Sequence, residues 1–331
     1  MPVTLEQAKV GMQDKIVPSV IDEFRRSSFL LDQLTFDDAV SPGTGGSTLV
    51  YGYTQLKTPS TGEFRNINEE YSANEAAKEE KTVRLKIFGG AYQIDRVIQN
   101  TSGRASEAAF QLEQKIKGAA NLFHNTVING DSAVDSKQFD GLNKMLTGSS
   151  TEIGTEEILN LVEIADEFAL LDKLDSFLGE LDGKPDMLLG NSKLIQRIKS
   201  AARRAGYATK TEDGFGRTVD GYDGIPLVDL GYFVDMNGGT PSTRPVVSIT
   251  NRDVAGTPET GLTDLYAVSF GLDGFHGVTP TGVGGGSGIT AYLPDFNSPG
   301  AVKTGEVEMV AGVALKATRK AGVLRNIKVQ A

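Results

Sequence analysis

A chain of 331 residues, 39% hydrophobic and 23% charged, is long enough to bury a sizeable core and suits two domains or one domain with large insertions. Its formal net charge of −10 excludes a broad basic surface that grips nucleic acid, and the absence of Cys excludes disulfides, thiolate metal sites and thiol nucleophiles. MPVTLEQAKV lacks an apolar signal core, and no apolar run approaches the roughly 20 residues of a membrane-spanning helix, so a soluble protein made in the cytoplasm is expected.

The N-terminal stretch reads as helical. Thr4 and Gln7 have capping-box spacing, Pro18 suits a boundary, and Ser19 suits an N-cap. Val20, Ile21, Phe24 and Leu31 fall near one helical face, giving an amphipathic arm with little core of its own that needs a partner surface. SPGTGGS (41–47) is a flexible break. Beyond it, STLVYGYTQLK has strand composition. KTVRLKIF alternates, with Val83, Leu85 and Ile87 on one predicted face and Arg84 and Lys86 on the other. The charged stretch between these strands is far longer than the about 2–5 residues of an ordinary hairpin loop, so it is either a projecting hairpin or a disordered surface loop. The flanking strands favour the hairpin.

From Ala105, apolar residues recur at Ala109, Leu112, Ile116, Ala119, Phe123 and Val127. That stripe predicts an amphipathic helix roughly 35 Å long at about 1.5 Å per residue, with Asn100, Thr101 and Ser102 as cap candidates. It ends at NGD, a turn signal. Asp131, Asp135 and Asp140 follow, bracketed by Gly130 and Gly141. Thr155 is read as the N-cap of a second helix, with Glu156 and Glu157 in its first turn and Ile158, Leu161, Val162, Ala165 and Phe168 on its buried face. PDMLLG (185–190) reads as a short buried strand. NSKLIQRIKSAARRAG (191–206) reads as a helix capped by Asn191 or Ser192 and stopped by Gly206. YDGIPLVDLGYF (222–233) returns to strand. Residues 234–300 are rich in Gly, Pro and Thr, with LYAVSFGL (265–272) as a strand, and residues 305–329 read as one long strand or a hairpin. No internal repeat is evident.

No reaction emerges from the motifs. GVGGGSG (282–288) misses the dinucleotide and phosphate-loop patterns, because Gly282, Gly284 and Ser287 have the wrong spacing. His124 and His276, the two histidines, belong to no HExxH pattern and read as structural. No G-x-S-x-G elbow occurs, although a Ser-His-Asp triad needs no sequence proximity. The aspartates at 131–140 lack calcium-loop spacing, and Asp before Gly is ordinary turn chemistry. Arg25-Arg26 and Arg203-Arg204 read as solvated helix faces. What remains is an arm, a projecting hairpin, a spine helix and Gly-rich loops, which suit a subunit of an assembly.

In that order, these elements resemble the major capsid proteins of tailed bacteriophages, the Hong Kong ninety-seven type shell fold. The resemblance covers nearly the whole chain. IVPSVIDEFRRSSFLLDQLTF is similar to the family's N-terminal arm, SEAAFQLEQKIKGAANLFHNTVINGD to its spine helix, and FDGL (139–142) to the Gly-hydrophobe pair that follows that helix. GIPLV and LYAVSFGL are similar to strands of the A-domain. The order of elements, rather than any single motif, carries the likeness.

The resemblance implies an α+β class with an N-terminal arm (1–43), an E-loop hairpin (44–95), a P-domain (96–150 and 286–331) and an α/β A-domain (151–285). It implies a structural subunit, not an enzyme, that assembles as pentamers and hexamers into an icosahedral shell enclosing double-stranded DNA without sequence-specific binding. The expected partners are a scaffolding protein, a portal and a decoration protein. No cofactor, metal or membrane is implied, and the expected location is the virion, after assembly in the bacterial cytoplasm. A chain of net negative charge fits the task of holding DNA without gripping it. Phe24, Arg25, Leu31, Glu63, Phe64, Arg65, Asp131 and Asp140 are the intersubunit contact candidates. Two departures stand out. Many members begin with a long scaffolding region, whereas here the arm starts almost at Met1, which implies a separate scaffold or a trimmed chain. Some members crosslink Lys to Asn between subunits, and nothing marks Lys57, Lys78 or Lys81 as reactive. An encapsulin-type compartment shares the implied fold and stays open as the alternative. A Gly-rich surface hydrolase lacks a visible signal peptide and acid/base pair, and the spine helix and hairpin argue against a tail or connector protein.

Overall fold

The computed structural model describes residues 29–39, 48–58, 60–97, 107–162, 167–206, 208–212, 218–237, 240–280 and 289–330. Val20, Ile21, Phe24, the Arg25-Arg26 pair, the caps at 100–102 and the GVGGGSG run lie outside them.

The first sheet is built around one long strand, Val302–Leu315. Its residues 302–311 pair antiparallel with Lys86–Asp95, residues 306–309 with Ile289–Tyr292, and residues 312–315 with Phe275–Pro280. Phe36–Ala39 adds in parallel along Phe275–Pro280. A short helix, α1 (Phe29–Gln33), leads into that strand.

The predicted spine helix is α2 (Glu107–Asn129), and it packs on Lys86–Asp95 and Val302–Leu315. Leu112, Ile116, Ala119, Phe123 and Val127 are buried as the stripe requires, whereas Ala109 near the helix start is exposed. Phe123 is fully buried, with its ring 5.9 Å from those of Phe88 and Phe139 and 6.5 Å from Phe36. Each aromatic pair of this kind contributes about 0.5–1.5 kcal/mol beyond the area it buries.

Among the described residues the second sheet has nine strands, centred on Thr257–Val268, which lies between Ala321–Lys328 and Met187–Leu189. Helices α4 (Glu167–Gly179) and α5 (Ser192–Ala205) cover one face, over Leu188, Leu265, Ala267, Leu324 and Ile327. The alternate residues Met187, Leu189, Tyr266, Val268 and Val323 enter the core of the spine helix. A strand buried on both faces reads as a continuous apolar run, which is why PDMLLG and LYAVSFGL were legible. The ends of α5 also follow the sequence. The Lys193 amide donates to Asn191 Oδ1 (3.0 Å), and Gly206 stops the helix at φ +80°.

Three expectations require correction. First, KTVRLKIF does not keep one face. Residues up to Arg84 pair with Val50–Thr58, but from Lys86 the chain pairs with Val302–Leu315. The partner changes at Leu85, and the inward face switches with it. Leu85 is buried, Ile87 is 60% exposed, and Phe88, Tyr92 and Ile94 point into the core.

Second, no helix starts at Thr155. Leu159–Asn160 is an edge strand parallel to Ile327–Lys328, and the described helix that follows spans Glu167–Gly179. The Leu161 amide donates to Lys328 O (2.9 Å), and Asn326 Nδ2 donates to the carbonyls of Gly154 and Thr155 (2.9 Å each). Long-range pairing claims the backbone that a helix would have used. Third, the C-terminus is neither one strand nor a hairpin. Val302–Leu315 and Ala321–Lys328 lie in different sheets, joined through a 3-10 turn at Thr318–Lys320.

Candidate intersubunit surfaces

Val50–Thr58 and Ala77–Arg84 form a hairpin, from Val50 opposite Arg84 to Thr58 opposite Ala77. Strand alternation aims Tyr51, Tyr53 and Gln55 at the protein body. Tyr51 Oη donates to Asp37 Oδ2 (2.6 Å), Tyr53 Oη donates to Leu315 O (3.0 Å), and Gln55 Nε2 donates to Lys316 O (2.9 Å). Lys316 Nζ lies 5.2 Å from the Tyr51 ring centroid, and His276 meets that ring edge-on at 5.8 Å. Beneath them Ala39, Leu85, Val278, Val310 and Ala314 make a small core. Burial, then the bond to Asp37, pushes the Tyr51 phenol up. Burial also raises the Asp37 carboxyl, but the bonds from Tyr51 and the Asp38 amide outweigh it and leave the group below the ordinary carboxylate range. Burial pushes His276 down.

Beyond Thr58 and Ala77 the chain leaves the body. Residues 60–76 are all exposed and are held by local bonds. Asn74 Nδ2 donates to Thr61 O (2.9 Å), Glu63 accepts from the Ser72 amide and hydroxyl, and Arg65 donates to Glu69 O (3.1 Å) while lying 5.3 Å from the Tyr71 ring centroid. These bonds turn Phe64 (106% exposed), Ile67 (90%) and Tyr71 (61%) outward. Apolar side chains clustered in the open mark an interaction surface.

The spine helix ends in a folded loop. The Gly141 amide donates to Gly130 O (2.9 Å), closing residues 130–141 against the last helical turn. A Cβ on Gly130 would lie 2.2 Å from Phe139 O, and one on Gly141 would lie 2.5 Å from Thr126 O, so both positions demand glycine. The carboxylates serve the loop itself. Asp131 accepts from the Ala133 amide (2.8 Å) and pairs with Lys144 (3.1 Å), Asp135 accepts from the Lys137 amide (3.0 Å), and Asp140 accepts from the Ser132 amide (2.8 Å). The Ala133 bond, then Lys144, lowers the Asp131 carboxyl. Among the described residues no three His, Asp or Glu gather as metal ligands, and no helix is long and apolar enough to cross a membrane.

Glu63, Phe64 and Arg65 thus come together on the hairpin tip. Asp131 and Asp140 share the loop at the spine-helix end, with both carboxylates engaged internally. Leu31 is corrected: it is 3% exposed and packs with Leu30 and Leu34 in the protein's own core, so it offers no surface to a neighbour. Phe24 and Arg25 lie outside the described residues. Sequence reasoning missed a buried ionic network. Arg325 pairs with Glu152 (2.8 Å) and Asp264 (3.2 Å), and Arg252 pairs with Asp264 (2.7 Å). Four residues so dispersed in the chain leave no spacing signal. Arg325 also hydrogen-bonds Asn143 in α3 (Leu142–Leu146), joining the spine-helix end to the second sheet.

No protein-family model matches the chain, and no curated sequence matches it. Solved structures do. The holo-SrpI encapsulin complex from Synechococcus elongatus PCC 7942 is 16% identical, with 92% of this chain and 88% of that chain covered and a TM-score of 0.61. The capsid of a native GTA particle is 10% identical, with 89% of each chain covered and a TM-score of 0.56. The capsid of Myoviridae phage XM1 is 10% identical, with 90% of each chain covered and a TM-score of 0.53. Such identities speak for the fold. The chain has the α+β shell fold of the Hong Kong ninety-seven type, shared by tailed-phage capsids and an encapsulin.

Proposed function

We propose that this chain is the structural subunit of an icosahedral tailed-phage head, assembling as pentamers and hexamers with a scaffolding protein around double-stranded DNA. The observation that carries the reading is the hairpin. It stands on a shell fold, anchored at its root, with a tip whose apolar side chains Phe64, Ile67 and Tyr71 are covered by none of the described residues. On this reading residues 44–95 are the E-loop, residues 96–150 and 286–331 the P-domain, and residues 151–285 the A-domain. Glu63, Phe64 and Arg65 lie at the contact with a neighbour. A shell repeats each contact many times, so individually weak contacts suffice. The portal and decoration proteins are further partners on this reading, and the chain's own role is mechanical rather than catalytic.

The encapsulin reading is the second one. It is favoured by one observation: the encapsulin superposes with a TM-score of 0.61, above the 0.56 and 0.53 of the two capsids. Electron microscopy of the purified chain, alone and with a scaffold encoded beside it, tests the shell. Closed polyhedral particles or rings of five and six support it, and a persistent compact monomer in both preparations overturns it. Nuclease treatment of intact particles then separates the two readings. Protected double-stranded DNA supports the phage head, and protein cargo alone supports the encapsulin.

A further inference from the structure

An open cavity of about 440 Å³ lies where the spine-helix end and α3 meet the second sheet. Its volume falls within the roughly 300–1,000 Å³ of small-molecule pockets, which are mostly apolar. This one is polar. Asn143, Ser248, Thr250, Arg252, Asp264 and Arg325 outnumber the aliphatic Ile128 and Val247 in its lining. Asn143 comes from α3, whereas Ser248 and Arg252 come from the segment bonded along Thr257–Val268.

Hydrogen-bond accounting separates the groups already engaged from those left over. Arg325 directs every N–H at the protein: at Glu152, Asp264, Thr147 and both oxygens of Asn143. Both Asp264 oxygens are taken, Oδ1 by Arg252 and the Asn326 amide and Oδ2 by Arg325. A cation therefore finds no open carboxylate in the lining. Arg252 differs. Its Nε donates to Thr250 Oγ1 (2.9 Å) and Nη1 to Asp264 Oδ1 (2.7 Å), while the second Nη1 hydrogen and both Nη2 hydrogens meet no described acceptor. The side chain is 29% exposed, so these donors are open to the cavity. The Asn143 amide nitrogen and the Ser248 hydroxyl likewise bond to no described residue. What the cavity leaves over is donors, held on two of its walls.

Charge narrows the ligand further. Glu152 and Asp264 already balance Arg325 and Arg252. A planar monoanion can take the remaining Nη donors of Arg252 in a bidentate grip. A dianion would bring a second negative charge beside Asp264, which repels it. We propose that this cavity binds a small hydroxylated monocarboxylate, with its carboxylate on Arg252 and its hydroxyls on Asn143 and Ser248. The proposal goes beyond the shell reading and does not depend on what a shell encloses. Because α3 and the second sheet supply different walls, the occupant ties the spine-helix end to that sheet and stabilises the subunit by mass action.

Calorimetric titration of the full chain, as dispersed subunits, with gluconate tests it. Glucose serves as the uncharged counterpart and inorganic phosphate as the more highly charged one. Gluconate should bind saturably at one site per chain and raise the urea midpoint. Glucose should not bind, and phosphate should bind more weakly. Arg252→Gln should weaken gluconate at least about tenfold, the loss of one charge-assisted bond. Arg252→Lys keeps the charge but not the fork, so its affinity should fall between the two. Asp264 keeps its bonds from Arg325 and the Asn326 amide in both variants, so circular dichroism should report a native fold. If Arg252→Gln misfolds, Arg252→Lys decides. No saturable gluconate binding, equal binding of glucose or phosphate, or wild-type affinity in the Arg252 variants overturns the site. Particles that Arg252→Gln abolishes, with no gluconate bound by wild type, would give the cavity to a carboxylate of a second copy and overturn the free ligand.

Discussion

Two glycines on or beside the spine helix should respond oppositely to the same added methyl group. Gly118 lies on an exposed face in mid-helix, and a Cβ there would meet nothing within 4 Å. Gly118→Ala should therefore stabilise the subunit by about 0.5–1 kcal/mol, because Gly loses more backbone entropy than Ala in a helix. Gly141 sits at φ −93°, ψ 177°, a conformation that Ala adopts freely. On backbone entropy alone, Gly141→Ala should also stabilise, by about 0.4–1 kcal/mol. Sterics oppose this, because the new Cβ would lie 2.5 Å from Thr126 O, 2.8 Å from Val127 O and 2.9 Å from Gly130 N. All three are backbone atoms of the helix end, and none can rotate away. Overpacking costs about 1–3 kcal/mol, so Gly141→Ala should lose roughly 1–2 kcal/mol net. Urea unfolding of dispersed subunits, with both variants beside wild type, reads the two signs directly. If Gly141→Ala is as stable as wild type or more so, the loop does not close on the helix as described.

Three further outcomes follow from buried charge and from the hairpin. Burial pushes His124 down to about 4, below its ordinary value near 6.5, so the unfolded chain binds the proton first as pH falls. That stability is fully present above about pH 6.5 and falls by roughly 3 kcal/mol towards pH 4; His124→Gln should flatten the fall in urea midpoints, and an unchanged profile would count against it. Asp264→Ala removes the carboxylate paired with Arg252 and leaves Arg325 with Glu152, so it should cost about 1–3 kcal/mol in the same assay, with no measurable loss contradicting the network. Deleting residues 60–78 should leave a folded subunit by circular dichroism that forms no closed particles by electron microscopy, and normal particles would remove the hairpin from the contact.

Elements whose signal is local were legible in the sequence. Leu112 to Val127 carry a helical stripe because one side of the helix is buried in a common core along its length, and Asn191 and Gly206 cap α5 by contacts within a few residues. What escaped was decided at long range. Thr155 has every local mark of an N-cap, yet Asn326 and Lys328 hold that stretch at the sheet edge. Leu85 sits in an unbroken alternation, yet the chain changes partner there and the face reverses. Leu31 belonged to a stripe that looked free only because the core it joins, with members such as Phe123 and Phe275, is drawn from far along the chain. Of the candidate sites, the hairpin tip could be read from its length and charge. The cavity at Arg252 could not, since its walls come from the spine-helix end, α3 and the second sheet.

The root and tip of the hairpin obey different rules for a physical reason. Tyr51, Tyr53 and Gln55 anchor the root at every second residue, so a slip of one residue would turn all three outward and release the hairpin from Asp37, Leu315 and Lys316. The tip carries no such register, because its bonds run within residues 60–76 and move with it. A strand fixed in register transmits its direction to a tip that is free to vary in composition. The geometry of any contact made by the tip is thus set at the root, on the strand Val302–Leu315 that also supports the spine helix. A shell built this way could change what its tips touch without changing how its subunits fold.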